Sequence, residues 1–352
     1  PYQIKFEMFY LSYKYTSIIL RAEQSRAEQS RARYLDIAKG IGITLVVFGH
    51  LSERYQFLRI LVYSFHMPLF FIISGSLNKD SPLRQCLKNG MQKLVLPTYQ
   101  ILAFDLMLRI LKSVLEHSQF PSLAELVNGL LIHGGVLWNA PVWFLMTLFA
   151  CRLGKSLLSS LNNKIEVTFV IGCILVCLFN INVKFPSWWL TNVIMSFPFF
   201  WLGTKIKKYI VNTSNETSKT ILIVLCLMWI IVAYLNGYTD INIQCNGRSY
   251  LLFLFTGISG TLIVIELSKW IEKLKIANVL EIVGKNSLIV LLTHYYICRG
   301  LIPYAIHFLK IGPNYIVQIV LTIIIVSIYY RVFSCFPHFL GQRKINTTKS
   351  SN

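Results

Sequence analysis

Two kinds of titratable group stand at opposite ends of one apolar segment, DIAKGIGITLVVFGH, residues 36–50: Asp36 and Lys39 at its start and His50 at its end. Titratable side chains cost a few kcal/mol each inside a bilayer, so by default they mark a functional site there. Lys39 and His50 are eleven residues apart, which on a helix points them the same way within roughly 20° and separates them by about 16 Å along the axis. Asp36 precedes Lys39 by one turn, the spacing of an i, i+3 ion pair. At about 21 Å from His50 it is too distant to orient that ring. Gly40 and Gly42 let another backbone or a ligand come close. A cation at one mouth could hold a phosphate, while an imidazole, which titrates near working pH, acts at the far end of a ligand with the reach of the pantetheine arm of coenzyme A.

The next apolar segment, LVYSFHMPLFFIISG, residues 61–75, adds His66, Ser64, Ser74 and Gly75, with Pro68 just after the histidine. A proline inside a membrane helix frees a backbone carbonyl and widens the groove around it, which suits the wall of a cavity. His294 is a third histidine in an apolar run. Each feature also has a structural reading. Asp36 and Lys39 could be an interfacial pair snorkelling to headgroups, and the histidines could be helix–helix hydrogen-bonding residues. Trp143, Trp188 and Trp189 read first as interfacial anchors. The eight cysteines form no CxxC pair and no ligand spacing with histidine, so neither a disulfide nor a metal site is expected.

The elements that must position these groups follow from composition. Of 352 residues, 55% are hydrophobic and 14% charged, beyond the apolar fraction of an ordinary soluble domain. Apolar runs of spanning length occur at about 37–53, 57–77, 94–111, 142–159, 165–181, 188–204, 220–236, 250–268, 286–303 and 314–336, so the expectation is an all-α polytopic membrane protein with about ten spans. No cleavable signal peptide is expected; the first spans would direct insertion.

The net charge of +19 would suggest nucleic acid in a soluble protein, yet its distribution reads as topology. With the N-terminus inside, most of the 34 basic residues fall on the inner side, among them Arg84, Lys88, Lys93, Lys205, Lys207, Lys208, Lys269, Lys273 and Lys275. That bias is the positive-inside rule, and it places both termini in the cytoplasm. No nucleic-acid partner is needed.

Ahead of the first span lies RAEQSRAEQSRAR, residues 21–33, a five-residue period too polar to bury a core. Its simple reading is a solvated linker. A tandem five-base unit, GAGCA, read through three frames encodes the same repeat, so gain or loss of one unit would shift the frame. The expectation is expression switched by slippage, that is, phase variation. The chain therefore divides into a cytoplasmic segment 1–33, a transmembrane domain 34–340 and a cytoplasmic tail 341–352.

YLDIAKGIGITLVVFGH (34–50) and FHMPLFFIISG (65–75) together resemble the opening of the acyltransferase-3 membrane family, in its fucose 4-O-acetylase-like branch, and KLVLPTY (93–99), PVWFL (141–145), SFPFFWLG (196–203) and VGKNSLIVLLTH (283–294) follow in the family's order. The resemblance implies a bacterial polysaccharide O-acetyltransferase of the inner membrane. Its donor would be cytoplasmic acetyl-CoA, with no tightly bound cofactor. Its acceptor would be a hydroxyl of lipopolysaccharide, capsule or a lipid-linked precursor. It puts the family's catalytic histidine on His50, as general base or as a transient acetyl-histidine. Donor binding would involve Lys39, where the family usually has arginine, with Asp36 as its partner and with Arg84, Lys88 and Lys93 in place of an RxxR pair before Pro97. His66, Ser74, Trp143 and His294 are supporting candidates. The rival reading is a transporter or flippase without chemistry, for which the sequence offers no inverted repeat.

Overall fold

The computed structural model of the chain describes residues 33–51, 56–79, 81–115, 117, 122, 124, 140–179, 188–212, 218–308 and 314–335. The RAEQS repeat up to residue 32, the tail at 341–352 and the side chains of Trp188 and Trp189 lie outside the described residues. A chain in hydrocarbon has no water to satisfy its N–H and C=O groups, so it must close its hydrogen bonds within each segment. The described residues do so as helices. In order these are α1 (Arg33–Leu51), α2 (Gln56–Tyr63), α3 (His66–Ser76) and α4 (Leu83–Gly90), which runs through a wider π-helical turn at Met91–Val95 into α5 (Leu96–Leu115). Then follow α6 (Trp143–Leu161), α7 (Asn163–Leu178), α8 (Trp188–Lys205), the short α9 (Lys207–Asn212), α10 (Lys219–Asn236) and α11 (Tyr250–Ile271). Last come α12 (Ile276–Lys285), α13 (Ser287–Tyr295), a second π-helical turn at Tyr296–Leu301, α14 (Ile302–Phe308) and α15 (Tyr315–Cys335).

The protein is thus an all-α, multi-pass membrane protein. Each of the ten expected spans meets a helix, but among the described residues 7 helical runs are long and apolar enough to cross alone. The expected span 286–303 is met by continuous helix from 287, and α12 joins its start at a bend of 78°. The bend falls at Asn286, whose side chain donates to the carbonyl of Ile282 at 2.8 Å beside its own backbone N–H at 3.3 Å. α7 has only 16 residues, short of the roughly 20 that an upright crossing needs.

α3 forms the centre: all of its residues except Ser74 are buried. Its largest contact is with α8, where two glycines let the backbones touch. A Cβ on Gly75 would stand 2.0 Å from the carbonyl oxygen of Phe200, and one on Gly203 2.1 Å from that of Ile72. Around this centre α10 and α15 expose Ile223, Leu227, Ile231, Ile316, Ile319 and Ile323, the aliphatic face a lipid-bathed helix presents. The break between α2 and α3 is at Ser64–Phe65, ahead of His66, because Pro68 has no N–H for the Ser64 carbonyl. Thr256 Oγ1 approaches that carbonyl at 3.5 Å.

The bundle has two ends. At the first, the start of α1 is tied to the α11–α12 region: Arg33 pairs with Glu281 at 2.8 Å and reaches Asn278 at 2.9 Å, and the Tyr34 hydroxyl donates to the carbonyl of Ile210. Glu166, fully buried, sits at the same end between Lys155 at 3.2 Å and Lys205 at 3.5 Å and pins α6, α7 and α8 together. Two ammonium groups facing one carboxylate supply the pairing that a buried charge requires. The far end holds His50 and the segment between α10 and α11.

Candidate active site

α1 is one unbroken helix from Arg33 to Leu51, so the stripe of Asp36, Lys39 and His50 keeps its register. At the first end Lys39 Nζ lies 2.5 Å from Asp36 Oδ1, with side chains only 22% and 15% exposed, which is a half-buried pair and not one reaching out to solvent. His50, in the last turn of α1, faces a cavity of about 50 Å³ at the far end. The same wall carries Tyr63, His66, Trp143, Asp240 and Asn242, with Val46, Met67 and Leu291 as its apolar part.

Two of the three histidines are held alike, and His50 is not. His66 Nδ1 lies 2.9 Å from the carbonyl of Val62, and His294 Nδ1 lies 2.8 Å from that of Val290. A carbonyl only accepts, so both rings must carry their proton on Nδ1, which leaves Nε2 of the neutral ring as a bare acceptor. Nε2 of His294 is buried and has no partner among the described residues, and its ring centroid is 5.1 Å from that of His50. His50 also meets Tyr295 edge-on at 5.6 Å. Among the described residues it makes these ring contacts and no hydrogen bond. An imidazole so placed keeps a nitrogen for chemistry.

The segment between α10 and α11 folds back over the cavity. Gly237 and Gly247 take positive φ of 80° and 70°, Asp240 and Cys245 close an antiparallel bridge, and the Thr239 hydroxyl donates to the carbonyl of Tyr63 at 3.2 Å. This turn delivers Asp240. Its Oδ1 accepts from the Asn242 N–H at 2.9 Å and its Oδ2 from the Tyr238 hydroxyl at 2.9 Å. Tyr238 in turn accepts from Arg59 Nη2 at 2.9 Å, and the Arg59 guanidinium lies over the rings of Tyr238 and Tyr63 at 4.5 and 5.2 Å. Burial pushes the Asp240 carboxyl above the usual carboxylate range, opposed by the Tyr238 hydroxyl, the Asn242 N–H and Arg59. Burial and the Asp240 carboxylate likewise push the Tyr238 phenol up.

Of the residues singled out by sequence, His50, His66 and Trp143 share the cavity, and His294 stands directly behind His50. Trp143 is 5% exposed, so it is a cavity wall; an interfacial anchor keeps its polar edge wet. Ser74 is half-buried and two turns along α3 from His66, away from the cavity lining. Lys39 and Asp36 belong to the opposite end. Arg84, Lys88 and Lys93 are exposed on α4 and the turn after it, which pack on α6. Sequence reasoning did not single out Tyr63, Arg59, Asp240 or Asn242. One signal was present: Arg59 and Asp240 are charges in stretches otherwise apolar or neutral, 57–77 and 231–247. No three His, Cys, Asp or Glu among the described residues are grouped as metal ligands.

The model of the acyltransferase-3 family, described as an acyltransferase domain, matches residues 32–331. No curated protein and no solved structure matches the chain.

Proposed function

The chain belongs to the acyltransferase-3 family, and from that premise we propose that it is a membrane O-acetyltransferase of the fucose 4-O-acetylase-like branch, resident in a bacterial inner membrane. It moves acetyl from cytoplasmic acetyl-CoA to a hydroxyl of a surface carbohydrate or its lipid-linked precursor. The observation that supports this most is α1, an unbroken helix carrying Lys39 at one end and His50 in a cavity at the other, about 16 Å away. With the basic end inside, as the positive-inside bias favours, the donor's phosphates meet Lys39 and its thioester reaches the cavity.

In the chemical step, His50 takes the proton of the acceptor hydroxyl as its oxygen attacks the thioester carbonyl. The tetrahedral oxyanion collapses, the C–S bond breaks, and the departing thiolate takes the proton back from the imidazolium, so coenzyme A leaves as thiol and the imidazole is regenerated. His294 Nε2, a bare acceptor beside His50, can hold the other His50 nitrogen as a donor and fix the working tautomer. Tyr63 and Asn242 are the neutral donors in the cavity wall available to the oxyanion.

Purified protein given acetyl-labelled acetyl-CoA and surface polysaccharide should form base-labile O-acetyl groups. Transfer to nitrogen only would overturn the reading. Glycan transport without acetyl-CoA consumption would favour a transporter instead. Lys39→Ala should raise the KM for acetyl-CoA about tenfold, the worth of one charge-assisted contact, with Lys39→Arg at or below the wild-type KM because a fork holds phosphate better than a point charge. Alanine at the exposed Arg84, Lys88 or Lys93 should cost less. An unchanged KM in Lys39→Ala would remove Lys39 from the donor site.

The family match begins at residue 32, where the RAEQS repeat ends, so slippage in the repeat would leave the matched domain's sequence intact while setting its frame. Sequencing the gene from many isolates should find variable unit numbers with uniform GAGCA units. A fixed number or mixed codons would refute the switch.

A further inference from the structure

Beside the donors Tyr63 and Asn242, the cavity wall carries a set of acceptors. Nδ1 of His66 is engaged by Val62, so the neutral ring can offer only the lone pair of Nε2, and His50 offers another nitrogen. A carboxylate has about four lone-pair sites, and the bonds from Tyr238 and the Asn242 N–H, with that from the Ile243 N–H, leave Asp240 able to accept once more. Arg59 does not reverse this balance, since its charge is already directed at Asp240 through Tyr238 and onto two aromatic faces. Acceptors on a wall select a ligand that donates. An anion would leave them unsatisfied and meet a buried carboxylate, whereas neighbouring hydroxyls would satisfy them.

Size narrows the ligand further. A cavity of about 50 Å³ has room for several water-sized polar groups. Neighbouring hydroxyls of a sugar can therefore enter it together. The segment carrying Asp240 is also fixed in advance: Asn236 Nδ2 donates to the carbonyl of Asn246 at 3.0 Å, Asn236 Oδ1 accepts from the Ser249 N–H at 2.9 Å, and Asn246 Nδ2 reaches the carbonyl of Cys177 at 3.2 Å. A carboxylate held this firmly presents a fixed geometry to whatever enters.

We infer that Asp240 is the acceptor-binding residue and that the cavity takes the 1,2-diol edge of a neutral sugar, with the hydroxyl to be acylated on His50 and its neighbour on Asp240. The assignment rests on the O-acyl-transfer reading above. It adds a requirement that the reading does not contain: a free hydroxyl beside the one that is modified. A site built to bond a hydroxyl discriminates strongly against the analogue lacking it, because its own acceptor is then left unpaired.

The test uses full-length protein in detergent, with the methyl glycosides of galactose, mannose, fucose and glucose and the monodeoxy forms of whichever binds. Saturation-transfer NMR reads glycoside binding, and acetyl-CoA turnover is followed separately. Asp240→Asn should abolish saturation transfer or raise the glycoside KM about tenfold or more. Removing the neighbouring hydroxyl from the glycoside should cost the wild type the same factor and cost Asp240→Asn little more, the sign of one shared contact. Tyr238→Phe, which leaves every cavity-lining atom in place, should give an intermediate effect and serves if Asp240→Asn does not fold. Wild-type binding by the Asp240→Asn variant, full activity on the deoxy glycosides, a requirement for an amino group, or no glycoside binding by wild type would each overturn the assignment. A wild type that binds glycosides but never consumes acetyl-CoA would overturn the function proposed above and leave the Asp240 comparison to be decided by binding alone.

Discussion

His50→Ala lowers acyl transfer by about 10² to 10⁴, the usual cost of removing a general base, and leaves the bundle assembled. Both halves of this expectation come from how the ring is held. Among the described residues His50 forms ring contacts with His294 and Tyr295 and no hydrogen bond, so its removal breaks no bond seen in the structure and enlarges a cavity that already exists. His66 and His294 differ, since each is bonded to a carbonyl of its own helix. Alanine there should cost folded yield more than His50→Ala does, and cost the rate per folded molecule less. The measurement is transfer at equal amounts of monodisperse, membrane-extracted protein. If His50→Ala keeps more than about a tenth of the wild-type rate, it is not the base. If instead it is lost as aggregate, its role is packing.

What could be read in the sequence was what one helix encodes. Asp36, Lys39 and His50 lie on one uninterrupted element, so a fixed rise and turn per residue carry their relation to the finished structure, and the expected Asp36–Lys39 pair forms at 2.5 Å. The proline after His66 signalled a break correctly, although the break falls on the carbonyl four residues earlier. Asp240 could not be found this way. It reaches the cavity through an irregular turn closed by Cys245 and anchored to the distant Tyr63, contacts that no periodicity records. The expected span 286–303 starts where the helix axis bends, whereas the 78° angle to α12 was not legible, because residues 276–285 carry no periodic signal that records the direction of a neighbouring helix.

Helix α1 is itself placed by a crossing of two backbones, and this crossing predicts a sharp contrast between identical substitutions. α1 and α12 meet where a Cβ on Gly284 would lie 1.8 Å from the carbonyl oxygen of Asp36 and one on Gly40 would lie 2.0 Å from that of Leu280. Main-chain atoms cannot rotate aside as a side chain does, so Gly284→Ala must push the helices apart along the stretch that carries Asp36 and Lys39. Overpacking of this kind costs about 1–3 kcal/mol, and the backbone clash puts Gly284→Ala at the upper end or beyond it, far outweighing the roughly 1 kcal/mol that alanine gains over glycine as a helix former. Gly172 in α7 has nothing within 4 Å of its Cβ position, so Gly172→Ala collects that propensity gain without a clash and should be neutral or slightly stabilising. Thermal unfolding in detergent, read beside gel filtration, should separate the two variants by at least several degrees with opposite signs relative to wild type. Equal behaviour would mean that α1 and α12 do not cross on their backbones, and that Lys39 and His50 are placed by other contacts.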